Sequence, residues 1–162
     1  MSRLVASTHG ADETLALAER LGGLLRGGDV LAVSGDLGAG KTVFAKGVAR
    51  ALGVQDQVVS PTFTVVREYE GSLRFVHADV YRLDRVQELH DVGWDDLLDV
   101  DAVAVVEWAE RVGALLPAER LEVRIEPGDA DNDRTITLEP RGATWRARHG
   151  ALVALVDAQV AR

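Results

Sequence analysis

Eight consecutive residues, Gly35-Asp36-Leu37-Gly38-Ala39-Gly40-Lys41-Thr42, constrain this chain more than any other stretch. They fit the pattern G-x-x-x-x-G-K-[ST], in which a strand runs into a glycine-rich turn that opens a helix. The flanks agree. Val30 to Ser34 is a short apolar run of the kind that forms a buried parallel strand. From Lys41 to about Leu52, the residues Phe44, Ala45, Val48, Ala49 and Leu52 fall on one helical face, and Gly53 supplies a stop. Such a turn points the N–H groups of Asp36, Gly38, Ala39, Gly40, Lys41, Thr42 and Val43 at phosphate oxygens, and the helix presents its positive end to the same anion. Lys41 then reaches β- and γ-phosphates, and the Thr42 hydroxyl ligates Mg²⁺. The alternative is a glycine turn with a stray lysine. Against it, the chain has 18 basic residues, of which only Lys41 and Lys46 are lysines.

The remaining elements fit the same fold class. A short strand is expected near Arg3 to Ser7, and a helix from Ala11 to Leu25 with Thr14, Leu17, Ala18, Leu21, Leu24 and Leu25 in one stripe. Thr64 to Glu70 and Leu73 to Ala78 read as an antiparallel hairpin. Arg85 to Asp99 reads as helix in pieces, broken near Gly93, and Ala102 to Val106 as a third buried strand. A helix after Trp108 stops before Pro117. Leu121 to Pro127 and Thr135 to Pro140 alternate like an edge hairpin, and Thr144 to Val160 reads as a helical tail. This order predicts one α/β domain over residues 1–162, a P-loop NTPase-like three-layer sandwich. Its central sheet is mostly parallel, with antiparallel hairpin extensions.

A triphosphate site needs acids. Glu107 closes the apolar strand Ala102 to Val106, where open parallel sheets place ligand-facing residues, and it suits Mg²⁺ directly or through water. Asp79, in His77-Ala78-Asp79-Val80-Tyr81-Arg82, is placed to orient the attacking water or a Mg²⁺-bound one; a helix N-cap or turn acid is the plainer alternative. Thr62 sits in the proline-stiffened Ser60-Pro61-Thr62-Phe63, either a switch closing on the γ-phosphate or a rigid turn. Trp108 either covers the site or packs. His77 reads as a packed or hydrogen-bonded histidine, and His77-x-Asp79 is too small a set for zinc. Asp84 to Asp101 carries seven acids and one arginine, a solvated helix face or a dock for a basic partner.

Composition narrows the classes further. Hydrophobic residues are 47% and charged residues 27%, ordinary for a globular chain. The longest apolar run is the six residues Ala151 to Val156, against roughly 20 for a spanning helix, so no membrane span is expected. The absence of cysteine and of an apolar leader suits a cytoplasmic protein. The net charge of −8 opposes direct binding to a phosphate backbone. The one asparagine, Asn132, is followed by Asp133, so the Asn-Lys-x-Asp guanine reader is missing and ATP is the expected nucleotide.

The motifs GDLGAGKT (35–42), SPTF (60–63), HADVYRL (77–83) and EW (107–108), in this order and at these spacings, resemble the TsaE (YjeE) family over roughly Thr14 to Glu110. These are bacterial ATPases of tRNA threonylcarbamoyladenosine biosynthesis. The resemblance implies that Thr42 and Glu107 hold Mg²⁺ and that Asp79 acts near the γ-phosphate. It also implies that Thr62 belongs to a switch-like loop, with Trp108 and Arg134 near the nucleotide. It further implies slow ATP hydrolysis in concert with a TsaB–TsaD heterodimer, which modifies the adenosine beside the anticodon of ANN-decoding tRNAs. Contact with tRNA would then be indirect, through that complex. Val43 stands where many members have a second threonine, leaving only its backbone N–H for phosphate, and Ala109 replaces a frequent proline. Two other readings fit a phosphate loop: a small metabolite kinase, whose arginine-rich lid is not evident here, and a scaffold that binds but never hydrolyses.

Overall fold

The computed structural model describes residues 3–61, 65–81, 86–91 and 93–161. In chain order the elements are β1 (Leu4–Thr8), α1 (Ala11–Gly22), β2 (Val30–Ser34), α2 (Lys41–Ala51), β3 (Val66–Tyr69) and β4 (Arg74–Asp79). There follow α3 (Val86–Asp91), α4 (Trp94–Leu97), β5 (Ala102–Glu107), β6 (Arg120–Pro127), β7 (Arg134–Arg141), α5 (Ala143–Arg146) and α6 (His149–Val160). The strands form one seven-stranded sheet in the order β1-β7-β6-β2-β5-β4-β3. Its four central strands, β6-β2-β5-β4, are mutually parallel, and the antiparallel pairings β6–β7, β1–β7 and β3–β4 extend it on both flanks. This is the expected α/β, P-loop NTPase-like architecture.

The burial pattern explains which segments became which strands. β2 and β5 lie between two covered faces, so their residues are apolar almost without interruption, from Val30 to Val33 and from Ala102 to Val106. On one face Leu31, Val33, Val105 and Ile125 pack with Leu17 and Leu21 of α1, Phe44 and Val48 of α2 and Leu152 of α6. On the other, Ala32, Val76, Ala78, Ala104 and Val106 pack with Trp94 of α4 and with Ala109 and Val112. α1 and α2 approach closely because Gly47 faces α1: a Cβ there would lie 2.4 Å from the Leu15 carbonyl oxygen.

Three expectations are corrected. β6 and β7 do not form an edge hairpin: β6 pairs with β2 and β7 with β1, which places both inside the sheet. Their alternation arises because this part of the sheet carries helices on one face only. Leu121, Val123, Ile125, Ile136 and Leu138 turn inward, and Glu122, Arg124, Glu126, Thr137 and Glu139 turn to the open face. Alternation reports a half-covered face, which an interior antiparallel strand shares with an edge strand. After Trp108 there is no α-helix but two short 3₁₀ turns, Ala109–Arg111 and Gly113–Leu115. Trp108 itself adopts a left-handed backbone (φ 61°), which breaks helical entry, and Pro117 prevents extension. α1 also ends at Gly22, short of Leu25, at the Gly22-Gly23 pair.

The C-terminal helices are tied to the sheet by a buried ion pair. The Arg148 guanidinium forks onto Asp29, Nη1 to Oδ2 at 2.6 Å and Nη2 to Oδ1 at 2.8 Å, and stacks 3.8 Å from the centre of the Trp145 ring. Asp29 lies in the turn before β2, so this contact spans 119 residues. In the acidic stretch, Asp95 and Asp96 occupy the exposed first turn of α4. Among the described residues no helix is long and apolar enough to cross a membrane.

Candidate functional site

The turn between β2 and α2 lies at the C-terminal edge of the parallel strands. Gly40 takes φ 109°, a left-handed conformation that a Cβ strains, and the Phe44 N–H then donates to its carbonyl to start the helix. Gly40→Ala is therefore expected to distort the turn and weaken nucleotide binding by at least about tenfold, with about 1 kcal/mol lost in folding stability. Calorimetric titration and thermal melting check the two quantities.

Lys41 is buried to within 5% of full occlusion. Its Nζ donates to the carbonyls of Gly35 and Asp36, both at 2.7 Å, and lies 4.0 Å over the Trp108 ring. Burial pulls its pKa below the ordinary lysine value, while the charges of Glu107, Glu110, Asp79 and Asp36 push back. Trp108 in turn meets Tyr81 at 4.6 Å between ring centres. Trp108 thus both packs and covers Lys41, and the two sequence alternatives coincide.

The Thr42 hydroxyl donates to Glu107, 3.0 Å from Oε1 and 3.1 Å from Oε2. Glu107 is 2% exposed and its Oε2 also accepts from His77 Nε2. Glu107 stands opposite Val33 of β2 on one side and Asp79 of β4 on the other, so three parallel strand ends meet here. Asp79 accepts from the Ser60 hydroxyl at 2.9 Å and from the Tyr81 N–H at 3.0 Å. It is at once a turn acid and a carboxylate beside Glu107.

Arg134 opens β7 and reaches the turn from the far side: Nε donates to the Ala39 carbonyl at 2.9 Å, and Nη1 to those of Asp131 and Asp133. With Gly38, Ala39, Gly40 and Val43 it lines a cleft of about 140 Å³ that also touches Gly10, Ala11 and Thr14 at the start of α1. The structure therefore brings together Asp36, Gly38, Ala39, Gly40, Lys41, Thr42, Val43, Asp79, Glu107, Trp108 and Arg134. Thr62 lies outside the described residues. Reading along the chain set His77 aside and did not single out Ser60 or Tyr81. The alternation His77-x-Asp79 on one strand was the available signal for the first.

Next to Arg134, His9 Nδ1 pairs with Asp133 Oδ1 at 2.9 Å. The hydrogen bond and charge of Asp133 raise the His9 pKa above its ordinary value. Stability from this pair is full below the unfolded-state pKa of His9 and is lost as pH rises through the raised folded value. An NMR titration of His9 is expected to show the elevated midpoint, and Asp133→Asn to return it toward the ordinary value.

Fold and turn together define a P-loop NTPase-like α/β protein. The crystal structure of Bacillus subtilis YdiB shares it, with a TM-score of 0.80 and 36% identity over 93% of this chain and 94% of that one. A family profile described as threonylcarbamoyl adenosine biosynthesis protein TsaE matches residues 8–136. The tRNA threonylcarbamoyladenosine biosynthesis protein TsaE of Bacillus subtilis is 42% identical over 143 residues, covering 88% of this chain and 89% of that protein. The protein of the same name from Treponema pallidum is 38% identical over 131 residues, covering 81% and 96%. The chain belongs to the TsaE family.

Proposed function

We propose that this protein is a Mg²⁺-dependent ATPase that acts as an accessory or reset factor in the threonylcarbamoyl modification of tRNA. The observation that carries the reading is the Thr42 hydroxyl held 3.0 Å from a buried Glu107 at the mouth of the phosphate turn, with Asp79 one strand away. The donor set fits Mg²⁺: a hydroxyl and a carboxylate are hard oxygen ligands. Among the described residues no group of three His, Cys, Asp or Glu side chains could hold a metal ion by itself, so water and phosphate oxygens would complete the coordination.

In this reading the amides of the turn and Lys41 take the β- and γ-phosphates, neutralising charge that builds in the transition state. Thr42 and Glu107 would hold Mg²⁺, which when bound supplies positive charge against the phosphates. Asp79, fixed by Ser60 and the Tyr81 amide, orients the attacking water. Trp108 shields Lys41 from solvent, and Arg134 braces the turn by its carbonyls. Thr62 would act as a switch-loop residue, a role that rests on the family resemblance alone. The partners are homologues of a TsaB–TsaD heterodimer in the cytoplasm, with tRNA approached only through that complex, because a chain of charge −8 repels RNA.

Incubation with ATP and Mg²⁺ is expected to release free phosphate without a phosphorylated acceptor. Glu107→Ala is expected to lower that rate by about 100-fold or more while nucleotide still binds. A phosphorylated small molecule in place of phosphate would show a kinase instead, and undiminished turnover in Glu107→Ala would overturn the site. For the partner surface, the double change Asp95→Lys/Asp96→Lys is expected to weaken co-purification with the heterodimer and to leave ATP affinity as it was. Unchanged complex formation would remove that stretch from the interface.

A further inference from the structure

Two residues before Asp79, on the same face of β4, stands His77. It is completely buried, and nothing in the nucleotide chemistry above uses it. Its Nε2 donates to Oε2 of Glu107, while Nδ1 has no hydrogen-bond partner among the described residues. Beneath it the ring packs toward Phe75, 6.0 Å between centres. A leucine or methionine would fill such a place without burying an unpaired ring nitrogen, which costs free energy. The histidine is explained by the one bond it makes. Glu107 receives donors from two elements, Thr42 on α2 and His77 on β4. Thr42 lies almost equally far from both carboxylate oxygens but has one proton to give, so without His77 one buried oxygen lacks a donor and the carboxylate is free to turn about its last torsion.

We propose that His77 is a positioning residue that fixes the carboxylate plane of Glu107 for the divalent cation. The inference rests on the reading of Thr42 and Glu107 as the Mg²⁺ holders. Ligand-orienting partners of this kind typically set metal affinity by about 10- to 100-fold.

The test compares His77→Gln with His77→Met, two unbranched side chains of similar size of which only the first can donate a hydrogen bond. Binding of a non-hydrolysable ATP analogue is titrated by calorimetry with Mg²⁺ varied from none to saturation. His77→Met is expected to lower the apparent Mg²⁺ affinity by about tenfold, leaving analogue binding without Mg²⁺ within about twofold, while His77→Gln stays within about threefold of the parent. Equal losses in both variants reduce His77 to packing, and a parent-like Mg²⁺ dependence in His77→Met overturns the proposal. A parent protein whose analogue binding ignores Mg²⁺ overturns the metal reading of Thr42 and Glu107, and the inference with it. Thermal melting checks both variants. Should neither fold, ¹⁵N NMR of the unaltered protein decides: the His77 Nε2 resonance is expected to move with analogue plus Mg²⁺ and not with analogue alone. A resonance that stays still in both overturns the assignment.

Discussion

On the proposed reading, Lys41→Ala is expected to lower the affinity for ATP by about 100-fold or more, to be checked by calorimetry or by the shift in melting temperature on adding nucleotide. On that reading the ammonium would exchange its carbonyl partners for charge-assisted bonds to phosphate oxygens, each worth about 1.5–3 kcal/mol, in a setting where it is nearly occluded and faces Trp108. Removing two of them costs about 3–6 kcal/mol, and each 1.4 kcal/mol is a factor of ten. In the parent protein, ATP at about 100 times its Kd is expected, on the proposed reading, to add about 2.7 kcal/mol of stability. For a chain of this size that raises the melting temperature by about 5–11 °C. The variant loses that rise. Lys41→Arg is not expected to restore it, because the two carbonyls 2.7 Å from Nζ fit a compact ammonium and not a planar fork. Parent-like binding in Lys41→Ala would remove the phosphate turn from the mechanism altogether.

Arg148→Ala is expected to lower stability by about 3–5 kcal/mol, because it leaves the Asp29 carboxylate buried without its counter-charge. With about 2–4 °C per kcal/mol, the melting temperature falls by about 6–20 °C. The loss of stacking on Trp145 and of the bond from Nη1 to the Leu24 carbonyl adds to it. Replacing both partners by apolar residues, Asp29→Leu with Arg148→Met, is expected to recover much of the loss, since neither charge then needs a partner. ATP affinity per folded molecule stays at the parent value, because the pair lies beneath the start of β2 and away from the phosphate turn. A melting point unmoved by Arg148→Ala would show that the pair contributes nothing net.

The parts of the site legible in the sequence share a physical cause. The phosphate turn is a local structure: strand, glycines, lysine and helix lie within about twenty residues, and the backbone rules that shape them act at that range. Glu107 and Asp79 were legible because each ends a strand, and parallel strands deliver their last residues to one edge. Ser60 and Tyr81 had no such signal, since loop residues are placed by what they pack against.

Sequence by itself determined most of the elements and the phosphate turn, because helical and strand periodicity and glycine geometry depend only on near neighbours. It could not order the strands. The alternating β6 and β7 looked like an edge and proved to lie inside the sheet, between β2 and β1. Only the tertiary structure brought Arg134 to the Ala39 carbonyl across 95 residues, Arg148 to Asp29 across 119 and His77 to Glu107 across 30. Those contacts form because folding buries polar groups that must then find one another, and chain separation does not enter that requirement.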